Sequence, residues 1–178
     1  MGIATTRGSR VGRADAEVDL MLDADTFRSV LGRFASGVTI VTVRDGNGRD
    51  HGMTVSAFSS VSLVPPLVLV CIEKTASTHD PLLAASHFGV NVLAAHQEPL
   101  SRRFASDDED KRFDGVGYTR GVTGAVLLDD VLAYLECERV GEHSAGDHTI
   151  VVGEVQVAIA NPDRPLLYYR GGYAQLER

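Results

Sequence analysis

Val38-Thr39-Ile40-Val41-Thr42-Val43, then Arg44, then Asp45-Gly46-Asn47-Gly48, is the stretch that decides the fold class. All six leading residues are β-branched, stiff at χ1 and suited to a pleated surface, so they read as a strand. The Asp-Gly-Asn-Gly cluster supplies residues that tolerate left-handed turn conformations. His51 to Val55 is therefore predicted to pair back as the second arm of a hairpin.

Moving outward towards the N-terminus, Asp23 or Asp25 can cap a helix start. Phe27, Val30, Leu31 and Phe34 follow at i, i+3, i+4 and i+7, which predicts an apolar helical face that Gly37 stops. Residues 1–20 show no periodicity, and Arg7, Arg10 and Arg13 make them locally basic. They are expected to be a disordered tail before a single domain at residues 21–178. Towards the C-terminus, Pro65-Pro66 introduce a strand at Leu67 to Ile72, where residues without a ladder donor are tolerated. Asp80-Pro81 predicts a short helix to about Ala85, with proline at its favoured first position. Phe88 to Leu93 reads as a strand, Pro99 opens a second short helix through Leu100 and Phe104, and Ser106 to Arg112 reads as a charged exposed loop. Leu132 to Val140 and Thr149 to Ala160 read as long strands joined by the polar segment Gly141 to His148, and Leu166 to Tyr169 as a last strand. Many strands with few short helices indicate a mainly β protein, an antiparallel barrel closed or partly closed. The strand-helix alternation of a doubly wound nucleotide fold is missing.

The chain has 178 residues, 44% hydrophobic and 23% charged, as one ordinary globular domain would. Its net charge of -7 argues against general nucleic-acid binding, which needs basic residues to neutralise phosphates. No apolar run approaches the roughly 18 residues of a membrane span, and the first twenty residues lack a signal-peptide core. Cys71 and Cys137 lie apart in strand-like stretches, as buried free thiols do. A cytoplasmic protein is expected.

Several motifs fail on spacing. Gly115-Val116-Gly117 is followed by Gly121 one place late for a dinucleotide fingerprint, and neither a Walker loop nor a hydrolase elbow is present. His143 and His148 beside Glu142 and Asp147 are five apart, off a common helical face, so no metal site is expected. Arg-Phe-Ala-Ser occurs at Arg33 to Ser36 and at Arg103 to Ser106 without further self-similarity.

One constellation survives. Gly52-Met53-Thr54-Val55-Ser56-Ala57-Phe58-Ser59-Ser60-Val61-Ser62 carries hydroxyls at 54, 56, 60 and 62, a pattern that a solvated edge would also give. After the strand to Ile72, Glu73-Lys74-Thr75-Ala76-Ser77-Thr78-His79 brings one ammonium and three hydroxyls to a strand end, as a phosphate or another anion requires. Gly146-Asp147-His148 places a turn and a histidine before a strand. Leu166-Leu167-Tyr168-Tyr169-Arg170-Gly171-Gly172-Tyr173 adds aromatics, which pack as readily as they bind.

At these residues the chain resembles the flavin reductase family, the NAD(P)H:flavin oxidoreductases that serve as reductase components of two-component flavin-dependent monooxygenases. The resemblance runs from about Phe27 to Tyr173. It is carried by the Phe27 to Thr42 opening with Phe34-Ala-Ser-Gly-Val-Thr-Ile-Val-Thr, and by Gly52-Met-Thr-Val-Ser and Pro65-Pro66-Leu-Val-Leu-Val. Phe88-Gly-Val-Asn-Val-Leu, Gly146-Asp-His and Pro165-Leu-Leu-Tyr-Tyr complete it. It implies an FMN-binding split β-barrel, a homodimer, FMN or FAD, NADH or NADPH, and a separate monooxygenase partner. It also implies that Met53, Thr54, Val55, Ser56 and Ala57 line the flavin ring and ribityl chain. Glu73, Lys74, Ser77 and Thr78 would hold the phosphate end. Asn91 and the Arg102-Arg103-Phe104 turn would complete the pocket, with Tyr173 closing over the ring and His148 contacting the nicotinamide. Hydride would pass from nicotinamide C4 to flavin N5, and no side-chain nucleophile is required. The same barrel also hosts flavoproteins with another electron acceptor, non-catalytic flavin or haem modules, and pyridoxal-phosphate-related oxidases, which need a denser set of cations.

Overall fold

The computed structural model describes residues 22–176, so the tail expected at residues 1–20 lies outside the described residues. Helix α1, Ala24–Leu31, is capped by Asp23, whose carboxylate accepts from the Thr26 N–H and hydroxyl, both at 2.8 Å. It ends earlier than the periodicity predicts. Gly32 is its C-cap, and Gly37 belongs to a two-residue strand β1, Ser36–Gly37. Nor does its apolar face enter the core, since Phe27, Val30 and Leu31 are exposed, and Phe34 just beyond is 81% exposed.

The hairpin read from the opening stretch is present as β2, Thr39–Arg44, and β3, Asp50–Val55. Asp45 closes its turn, the carboxylate accepting from the N–H groups of Asn47 and Arg49 at 2.9 Å. β4 spans Phe58–Leu63 and β5 Pro66–Glu73, so the run from Gly52 to Ser62 is two strands broken at Ser56-Ala57 rather than one. Helix α2, His79–Ala84, begins two residues earlier than Pro81, which therefore sits third and not first. β6 is His87–Val92 and α3 is Glu98–Phe104. The short β7, Tyr118–Arg120, and β8, Val126–Leu128, form a hairpin that no sequence signal announces. β9, Ala133–Ala145, and β10, His148–Ala160, are longer than predicted. The polar residues from Gly141 onward extend both strands, and only Gly146-Asp147 turns between them, with Gly146 at φ 62°. β11, Leu167–Tyr169, and β12, Gly172–Ala174, complete the chain order.

Seven strands form one antiparallel sheet in the order β3-β2-β6-β9-β10-β5-β4. Its two outer strands are neighbours in sequence, joined through Ser56-Ala57, so the sheet curls until its edges meet at that break. The architecture is the split antiparallel barrel expected. A second sheet, β1-β11-β12, stitches the segment after α1 to the C-terminal hairpin. β2 explains why the opening run lacks polar alternation, because Thr39 to Val43 are buried on both faces. Val41 and Val43 pack inside the barrel with Val70, Ile72, Phe88 and Val151. Ile40 packs outside it with Phe104, Val126, Leu128 and Leu166. No described helix is long and apolar enough to cross a membrane.

Both cysteines are free thiols. Burial, and secondarily the Glu136 carboxylate, pushes the Cys137 thiol up to about 12, and burial also raises Cys71. At pH 8 a thiol reagent is expected to leave Cys137 unmodified in the folded protein and to modify Cys71 slowly, whereas denaturation should release both. Rapid labelling of Cys137 in the native protein would show that its strand opens.

Candidate functional site

The break between β3 and β4 organises the site. Side chains alternate along an extended strand. Met53 and Val55 consequently turn into the barrel core, while Thr54 and Ser56 line a cavity of about 220 Å³ shared with Val38, Ala105, Tyr168 and Tyr173. Thr54 donates its hydroxyl to the Ser101 carbonyl at 2.7 Å, tying β3 to α3. The Tyr173 hydroxyl and Ser101 Oγ are 2.8 Å apart, and Tyr168 meets Tyr173 edge to face at 5.6 Å. The Arg102 guanidinium lies 4.8 Å from the Tyr173 ring centroid, held there by Glu98 at 2.7 Å. Two aromatic walls and two hydroxyl side chains thus face one space, with a cation stacked on one of the aromatic rings.

The stretch from Glu73 to His79, the candidate for anion binding, stands at the same break. The Ala57 carbonyl accepts from the Cys71 N–H at 3.0 Å, so the exit of β5 at Glu73 lies only two residues further on. Lys74 closes that exit against the β9–β10 hairpin. Its ammonium donates to the Gly146 carbonyl at 2.6 Å and to Ser144 Oγ at 2.8 Å, and its N–H to the Asp147 carbonyl at 2.9 Å. Glu73 stands opposite His148 in register, and its carboxylate accepts from the Thr75 hydroxyl. His148 Nδ1 contacts Asp147 Oδ1 at 2.7 Å, and this bond holds the Asp147 carboxyl below its ordinary range. With Nδ1 engaged, the half-exposed His148 ring has Nε2 left to meet a ligand. Ser77 is partly buried. Thr78 is fully buried, its hydroxyl without a partner among the described residues. His79 Nε2 lies 3.0 Å from the Thr149 hydroxyl, a second tie between this loop and β10.

The structure therefore brings Thr54, Ser56, Ala57 and Tyr173 to one side of the break, and Glu73, Lys74, Ser77, Thr78 and His148 to the other. It does not bring the remaining candidates. Asn91 is fully buried and wholly engaged by protein, donating to the Ile40 carbonyl at 3.1 Å and accepting from the Leu128 N–H at 2.8 Å. Its amide pins β6 to β2 and β8, and no polar atom is left for a cofactor. Phe104 is likewise buried, packed edge to face on Phe113 at 5.0 Å. Arg103 donates to the Asp114 carbonyl at 2.7 Å, and it is Arg102, one position earlier on α3, that lies over the Tyr173 ring. Met53 and Val55 can offer only backbone. Sequence reasoning missed Tyr168 and Ser101 as site residues. The hairpin signal Gly171-Gly172, which sets Tyr168 opposite Tyr173, could have found Tyr168.

Comparison with known proteins gives this arrangement a context. The family model described as a flavin reductase like domain matches residues 31–177. A flavin reductase of Pseudomonas putida is 40% identical over 153 residues, covering 85% of this chain and 89% of that protein. The reductase subunit HsaB of a flavin-dependent monooxygenase from Rhodococcus jostii is 40% identical over 157 residues, 88% of this chain and 80% of that protein. Among solved structures, the NADH:FAD oxidoreductase SgcE6 of Streptomyces globisporus, in complex with NAD and FAD fragments, superposes with a TM-score of 0.82. It is 41% identical and covers 87% of this chain and 93% of that one.

Proposed function

The chain belongs to the flavin reductase like family, and on that premise we propose that it is an NAD(P)H-dependent flavin reductase supplying reduced FMN or FAD to a separate monooxygenase. The carrying observation is the tyrosine-walled cavity beside the strand break, with the Lys74 loop and His148 on the other side of the same break. The residues fit a flavin. Tyr168 and Tyr173 offer flat apolar faces, Ser56-Ala57 is small enough for close approach, and the buried, unpartnered Thr78 hydroxyl lies in a loop rich in anion-binding groups. When bound, the flavin supplies the hydride acceptor and the nicotinamide the hydride.

This chain's residues do the binding and orienting. Thr54, fixed by Ser101, and Ser56 present hydroxyls to the ring and ribityl chain. Tyr173 is held in place by its hydrogen bond to Ser101 and its contact with Arg102, which limits water at the ring face. Lys74, Ser77 and Thr78 take the phosphate end, with Glu73 beside them. Asp147 fixes the His148 tautomer so that Nε2 addresses the nicotinamide carboxamide. Such orientation converts an encounter of two diffusing rings into a near-attack arrangement.

The test is loss of NAD(P)H absorbance by the purified protein with and without FMN, FAD and riboflavin. Fast oxidation that depends on added flavin supports the reading. Bound flavin with no turnover on any nucleotide would replace it with a flavoprotein using another electron partner or a carrier module. His148→Ala is expected to raise KM for NAD(P)H about tenfold while leaving flavin affinity within about twofold, as loss of one oriented hydrogen bond implies. A collapse of flavin affinity instead would remove His148 from the nicotinamide side.

We place the working enzyme in the cytoplasm as a homodimer. Supporting the dimer, Phe27, Val30 and Leu31 of α1 and the β4–β5 tip at Leu63 and Val64 are exposed, the last two by 86% and 88%, more apolar surface than a monomer usually leaves in water. Light scattering at the mass of two chains supports this, and the mass of one overturns it.

A further inference from the structure

Ser77 and Thr78, assigned above to the phosphate end, and His148, assigned to the nicotinamide, stand on different elements, yet each lies between residues tied to the other's element. The loop at residues 73–79 is braced internally. The Ala76 N–H donates to the Glu73 carbonyl at 3.1 Å and the His79 N–H to the Ala76 carbonyl at 2.9 Å, so the loop moves as one piece. Lys74 fastens one end of it to the tip of the β9–β10 hairpin, through bonds to Asp147, Gly146 and Ser144. His79 fastens the other end to β10 itself, through Thr149. Ser77 and Thr78 fall between the two fastenings on the loop, and His148 falls between Asp147 and Thr149 on the hairpin.

The His79–Thr149 bond is shielded from water, since Thr149 is buried and the His79 side chain is only 12% exposed. The Asp80 carboxylate can only accept, so His79 Nδ1 donates to it at 2.8 Å, and Nε2 of the neutral ring is left to accept the Thr149 hydroxyl. The backbone ladder already pairs β10 with β5 through Thr149 and Ile72. What the side-chain bond adds is a connection from that ladder to the loop. Immediately before His79, the buried Thr78 hydroxyl has no partner among the described residues. A phosphate oxygen would satisfy it.

We propose that His79 and Thr149 are positioning residues that couple the two halves of the site, so that a flavin phosphate seated at Ser77-Thr78 raises the affinity for the nicotinamide nucleotide at His148; the assignment rests on the flavin reductase reading. A phosphate that engages Thr78 orders the loop, and the Thr149 hydroxyl carries that order to the residue beside His148. Fixing both segments is then required only once, by whichever ligand binds first, and the second binds more tightly. Linkage makes the effect reciprocal. The flavin ring lies on the Thr54 and Tyr173 side of the break, so the phosphate and not the ring carries this coupling.

The test compares FMN with riboflavin, which has the same ring without the phosphate. Calorimetry reads the dissociation constant of NAD+, which does not reduce flavin, on the full chain saturated with one or the other. KM for NADH with each flavin as acceptor is the second reading. NAD+ is expected to bind about fivefold more tightly beside FMN than beside riboflavin, at the low end of usual coupling factors. In Thr149→Val and in His79→Phe that difference is expected to vanish while riboflavin affinity holds. Thr149→Ser keeps the hydroxyl and should keep the difference. Because both substitutions break one bond, the double variant should lose no more than either single one. Equal NAD+ constants beside the two flavins in the unmodified protein overturn the coupling, and so does a difference that survives in both variants. Riboflavin binding lost from both variants would mean that the bond merely holds the site together, and overturns it as well. Absence of flavin reduction by the unmodified protein would instead overturn the parent reading, because the NAD+ measurement does not depend on turnover.

Discussion

An Asn91→Leu variant is expected to lose about 3 kcal/mol of stability, the cost of orphaning several buried polar groups at once. Leucine keeps the approximate shape of asparagine but leaves the Leu128 N–H without its 2.8 Å acceptor and removes the amide that bonds the Ile40 carbonyl and Thr42 Oγ1. Those groups join β6, β2 and β8, so the loss should appear as a lower urea midpoint by circular dichroism with little change in slope. Flavin affinity of the fraction that remains folded should not move. A variant with native stability and no flavin binding would return Asn91 to the site.

Tyr173→Ala should weaken flavin binding roughly a hundredfold, because about 3 kcal/mol of ring contact disappears with the side chain. Tyr173→Phe keeps the ring and loses only the bond to Ser101, so about fivefold is expected, near 1 kcal/mol. The ratio between the two variants is the informative quantity. Equal effects would mean that the hydroxyl, and not the ring wall, carries the affinity. Unchanged binding in Tyr173→Ala would move the flavin away from this cavity.

The strands were legible wherever β-branched runs met turn residues, as at Val38 to Gly48, and the family motifs marked the ends of the strands that build the site. What could not be read was direction. Met53 and Val55 share a motif with Thr54 and Ser56, yet the strand pleat sends them to opposite sides. Asn91 lies in an equally recognisable motif, but its partners are up to 51 residues away and no local pattern announces them. Arg102 and Arg103 are adjacent and chemically alike, and only the pitch of α3 decides which meets Tyr173. The apolar stripe of α1 was legible, but periodicity identifies a face without saying what covers it, and Phe27, Val30 and Leu31 stand exposed.

The sheet β1-β11-β12 has a consequence for how the protein comes into being. Tyr168 is set opposite Ser36 and Tyr173 opposite Tyr168, so one wall of the cavity is woven from opposite ends of the described chain. During synthesis Ser36-Gly37 emerges early and must wait for Leu167 to Ala174 before it gains a neighbour. A nascent polypeptide can form the hairpin of β2 and β3 before that wall of the cavity exists. A chain that stops before Tyr173 is therefore expected to fold its hairpins yet lack this wall of the cavity.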